Sequence, residues 1–110
     1  MPILNLYNLK EFDNNLISQI LSIYITDVTK DISQLTALID GDNYEQIRRL
    51  AHKIVGSSKT VGAIKVSAIA EEIEEKAENK IKLSGKNLDI ALSFAFNEVK
   101  EHIYKNDLIT

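Results

Sequence analysis

His52 sits in the run "RRLAHKIVGSSK", and its helical neighbours set the first chemical question. Residues three, four and seven apart share one face of a helix. Arg48, His52, Gly56 and Lys59 therefore form one stripe. An ordinary imidazole is mostly neutral near pH 7, and its unprotonated nitrogen is a nucleophile. Glycine inside a helix costs about 1 kcal/mol relative to alanine. A missing side chain one turn from His52 opens the ring edge to something bulky. The flanking cations suit an anionic group, of which phosphoryl is the obvious example. The stripe thus reads as an accessible nucleophilic imidazole in a basic setting. The plainer alternative is a polar surface histidine beside a Gly–Ser pair that marks a helix bend.

The rest of the chain is patterned to hold such a helix rigidly. Pro2 is the only proline, and the glycines are Gly41, Gly56, Gly62 and Gly85, which favours long helices. Apolar residues recur at steps of three and four through Leu16, Ile17, Leu21, Tyr24, Val28, Ile32, Leu35 and Leu38–Ile39. Asp13 is the expected N-cap of this helix and Gly41 its expected C′ residue. Asp42-Asn43-Tyr44-Glu45 has capping-box spacing and opens a second helix, with Ile47, Leu50–Ala51 and Ile54 inward and Gly62 as its stop. A third runs over 63–79, with Val66, Ile69–Ala70, Ile73 and Ala77 inward and Glu71 to Glu78 on a solvated acidic face. Ser84 and Gly85 mark a turn. A fourth runs over 86–105, with Leu88, Ala91–Leu92, Ala95–Phe96, Val99 and Ile103 inward. A short helix near Asn8–Phe12 precedes the four. No stretch alternates with period two. The expected fold is all-α: an antiparallel up-down four-helix bundle with a short extra N-terminal helix.

Composition excludes several functions. The 110 residues fit one domain, 1–110, although a piece of a longer protein would read the same. The net charge of −3 argues against nucleic acid as the main partner, and the Arg48–Arg49 pair is too little to reverse that. There is no cysteine, hence no thiol nucleophile and no thiolate metal site. Neither histidine lies in a Glu-x-x-His pair, and His102 in "KEHIYKN" reads as a polar residue near a helix end. No apolar run reaches the ~20 residues of a membrane span, and "MPILNLYNLKEF" lacks a basic signal-peptide start. A cytoplasmic monomer without membrane insertion is expected.

The stretch "AHKIVGSSKTVGA" resembles the motif of histidine-containing phosphotransfer (HPt) domains of two-component phosphorelays. The matching residues are Ala51, His52, Ile54, Gly56, Ser57, Ser58, Gly62 and Ala63. Ile73-Glu74 also fits, where the family places an acidic or amide side chain after an apolar one. The family fold is the helical bundle read above. The resemblance implies that His52 accepts a phosphoryl group from a receiver-domain aspartate, on Nε2, and passes it to another receiver. It implies response-regulator receivers and a hybrid sensor histidine kinase as partners. It also implies no cofactor on this chain, with Mg²⁺ on the receiver. No GxxxxGK[ST] loop is present, so self-phosphorylation from ATP is not expected.

One departure stands out. The family commonly has lysine three residues after the histidine, and here that residue is Val55. Lys59 or Arg48 are the candidates to replace it, with Gly56, Ser57, Lys53 and Glu74 as further supporting residues. The alternative reading is an HPt-like adaptor that docks receiver or kinase domains without carrying phosphate. Leu16, Ile20, Ile23 and Ile25, with Ile3, Leu4, Leu6 and Leu9, either pack on one another or leave an exposed docking patch.

Overall fold

The computed structural model describes residues 3–109. Four helices follow one another: α1 (Asn14–Leu38), α2 (Tyr44–Val61), α3 (Ile64–Glu78) and α4 (Leu88–Lys105), after a 3₁₀ turn at Leu6–Leu9. No strand occurs among the described residues. The connections are short, so successive helices reverse direction and close an up-down bundle.

Each helix turns its apolar stripe inward, as the 3.6-residue period requires. Leu21, Val28 and Leu35 of α1 meet Ile47 and Ile54 of α2, Val66 and Ile73 of α3, and Leu92, Val99 and Ile103 of α4 in one core. Ala91, expected inward, is exposed. Among the described residues no helix is long and apolar enough to cross a membrane.

Local signals succeed where nothing tertiary competes. Asp13 caps α1, its side chain accepting from the Leu16 N–H at 2.8 Å. At α2 the capping box is not used. Asn43 occupies the cap position without a side-chain bond, and Glu45 binds Arg48 instead of reaching back. Gly41 is not a left-handed C′ residue, because α1 closes at Ile39 with right-handed geometry. α4 begins at Leu88, two residues later than expected, since Gly85 and Asn87 both take positive φ. The N-terminal turn lies at Leu6–Leu9 rather than near Asn8–Phe12. Its start is set by Asn5, whose side chain accepts from the Tyr7 N–H and whose backbone N–H donates to the Gly62 carbonyl.

The second serine of the motif is structural. Ser58 is fully buried and shares a 2.8 Å hydrogen bond with the Tyr24 hydroxyl, while the Tyr24 ring meets Phe96 edge-on. Burial pushes the Tyr24 phenol up to about 12, with the Ser58 bond opposing. A phenol whose pKa is raised from 10.0 on folding adds stability below pH 10 that is lost as pH climbs toward 12. Ultraviolet titration of tyrosinate should therefore show one component near pH 12 that Tyr24→Phe removes. An unchanged titration curve in the variant would refute the assignment.

Candidate functional site

α2 carries the candidate residues, and its neighbours decide what each can do. His52 is 69% exposed at its side chain. Its Nδ1 lies 2.7 Å from Glu74 Oε2 of α3. A carboxylate only accepts hydrogen bonds, so Nδ1 is the atom that carries the proton. The neutral ring then keeps its lone pair on Nε2, the nitrogen that Glu74 leaves free. Glu74 is itself only 21% exposed. Its carboxylate accepts this hydrogen bond and thereby orients the ring.

Gly56 lies one turn on, and a Cβ built there meets nothing within 4 Å. No neighbour inside the chain demands glycine at this place. The gap opens outward, beside the imidazole. Gly62 is the opposite case, with φ +77 and the Asn5 backbone pressed against it.

The cations of the stripe are each paired. Arg48 binds Glu45 through Nε at 3.2 Å and Nη2 at 2.7 Å. The same bond holds the Glu45 carboxyl below its usual range. Arg48 is held in its charged form first by Glu45 and further by the charges of Glu74 and Glu78. Lys59 Nζ pairs with Glu71 Oε1. Lys53 turns to the other flank, where its Nζ donates to the buried Asp31 of α1 at 3.1 Å. Ser57 donates back to the Lys53 carbonyl at 3.1 Å, a local helix bond. Val55 is 8% exposed and belongs to the core.

The site is thus a seam between antiparallel helices. Arg48, His52 and Lys59 of α2 face Glu78, Glu74 and Glu71 of α3 in that order. On the other flank, Ile20, Ile23 and Asp27 of α1 form a groove with Ser57 and Thr60 of α2. Ile23 is 61% exposed, whereas Ile25, Leu4 and Leu9 are buried in the core. Leu16 and Ile3 stay partly open. Of the candidate supporting residues, Glu74 alone has a recorded bond to His52. The helical register sets Arg48, Gly56 and Lys59 alongside, while Lys53 and Ser57 are engaged elsewhere. His102, at the far end of α4, is half-buried near Asn106. Sequence periodicity passed over Glu71 and Asp31. Their only signal is acidic character, and their roles come from which helix lies opposite. Among the described residues no group of three or more His, Cys, Asp or Glu side chains could hold a metal ion.

Comparison with known proteins agrees with this arrangement. No curated protein and no solved structure matches the chain. The family model for the Hpt domain matches residues 19–104, from the first turns of α1 almost to the end of α4. A helical bundle with an exposed histidine on its second helix, matched over that length, places the chain in the Hpt domain family, whose members act in phosphorelays.

Proposed function

We propose that His52 is the phosphoacceptor and that the chain carries a phosphoryl group between receiver domains. The observation that carries this reading is the Nδ1–Glu74 bond, which leaves Nε2 unprotonated beside the gap at Gly56. The Nε2 lone pair attacks phosphorus of a receiver's aspartyl phosphate. The N–P bond forms as the P–O bond breaks, and that electron pair leaves on the aspartate oxygen. The Nδ1 proton stays in place, so the ring becomes positive, and Glu74 offsets that charge. The reverse sequence delivers the group to the next receiver. Phosphoryl transfer needs positioning and charge stabilisation rather than covalent help, so this chain requires no cofactor of its own. Mg²⁺ belongs to the receiver. The groove at Ile20 and Ile23, next to the Gly56 gap, is the proposed receiver-docking face. A hybrid sensor kinase is the proposed source of the phosphate.

Pre-phosphorylated receiver domains mixed with the chain test the reading, with intact mass as readout and His52→Gln alongside. An acid-labile phosphoryl adduct absent from the variant supports the carrier. Binding without any adduct favours the adaptor, which the buried Val55 in place of a lysine makes the second reading. Glu74→Ala should slow phosphoryl uptake about 10- to 100-fold, as loss of one charge-assisted hydrogen bond does. Stopped-time mass measurements check this, and an unchanged rate would remove Glu74 from the mechanism.

A further inference from the structure

With Val55 in the core, a phosphoryl group on His52 has no neighbouring lysine three residues on. It would bring about −1.5 to −2 of charge to a seam already lined by Glu71, Glu74 and Glu78. Arg48, Lys53 and Lys59 are the nearby cations on α2, and all three already hold carboxylates.

Geometry separates them. Helical side chains lean toward the helix N-terminus. Arg48 precedes His52, so it leans away, toward Glu45. Lys53 crosses to Asp31 on the α1 flank. Lys59 follows His52 by seven residues, about 10 Å along the axis and on nearly the same face. From Glu71 its side chain can swing back toward Gly56, where a Cβ would meet nothing within 4 Å. A phosphoryl group on Nε2 projects from the other side of the same gap.

We infer that Lys59 is the cation that neutralises the phosphoryl group and that Glu71 competes for it. The inference rests on the phosphoacceptor reading. In the unphosphorylated chain Lys59 pairs with Glu71. On phosphorylation Lys59 moves to the phosphoryl oxygens and leaves Glu71 solvated. When the group departs, the pair forms again. Glu71 therefore weakens the chain's hold on phosphate and tilts the exchange toward giving it up. An exposed ion pair makes this a modest tilt, about two- to fivefold.

Phosphoramidate tests it without a receiver. The Nε2 lone pair forms the N–P bond while the reagent's own P–N bond breaks, its electrons leaving on nitrogen as ammonia. Phosphorus NMR then reads the pKa of the phosphoryl group, which a nearby cation lowers. Lys59→Gln should raise it by about 0.3 to 0.7, a two- to fivefold change in proton affinity. Glu71→Gln should lower it, both by removing a charge and by freeing Lys59. In the Lys59→Gln background the second effect vanishes, so the Glu71→Gln shift should shrink at least twofold. No change on Lys59→Gln, or an equal Glu71→Gln shift in both backgrounds, overturns the inference while leaving His52 as acceptor. Failure of the unaltered chain to form an adduct at His52 overturns the acceptor reading itself, and the inference with it.

Discussion

Gly62→Ala is expected to cost about 4 kcal/mol, against a total stability of about 5–15 kcal/mol for a chain of this size. Two effects combine. Gly62 has φ +77, and an L-residue in left-handed geometry costs about 1–2 kcal/mol. A Cβ there also falls 1.7 Å from the Asn5 backbone oxygen. That oxygen belongs to backbone, so no rotamer relieves the collision. The segment must lift, which breaks the 3.0 Å bond from Asn5 N–H to the Gly62 carbonyl and loosens Leu4 and Leu9. Fully burying one leucine contributes about 1.5–3 kcal/mol, so partial loss of two accounts for the remainder. Gly85→Ala is the control: φ is +79, but nothing lies within 4 Å of its Cβ. It should lose only the conformational part, about 1–2 kcal/mol. Urea unfolding of both variants measures the difference, and equal losses would show that the Asn5 contact contributes nothing.

Substitution at Gly56 should separate stability from transfer. This glycine lies on the exposed face of α2, with open space where a Cβ would go. Gly56→Ala is expected to stabilise the fold by about 0.5–1 kcal/mol, because alanine loses less backbone freedom in a helix. Gly56→Leu should fold as well and yet slow transfer from a phosphorylated receiver about 100-fold. A side chain in the gap holds the aspartyl phosphate away from Nε2, and a displacement of about 1 Å already costs on that order. Phosphoramidate is small enough to reach the ring past a leucine, so its labelling of His52 should persist within a few fold. Thermal melts, transfer rates and reagent labelling measured together give the answer. Normal transfer in Gly56→Leu would mean that the receiver does not approach through this gap.

How much was legible without coordinates depends on the range of each interaction. The four helices, their inward stripes and the Asp13 cap rest on contacts within one turn, and the residue pattern alone was enough for them. So was the stripe of Arg48, His52, Gly56 and Lys59, because helical register follows from spacing. The Arg48–Glu45 pair, three residues apart, lay equally within reach of the sequence. Glu74 could be named from the motif, but its 2.7 Å bond to Nδ1 depends on how α3 packs on α2. Glu71 and Asp31 gained their roles in the same way, as carboxylates whose helices bring them opposite Lys59 and Lys53. Local signals misled in two ways: Glu45 left the capping box for Arg48, an equally local partner, and Asn5 moved the N-terminal turn by anchoring on the distant Gly62. Gly56 and Gly62 both belong to the motif, one inside α2 and one at its stop, but the sequence does not show what lies against either. Tertiary structure alone decides their surroundings, because one faces open space and the other the backbone of a segment 57 residues away.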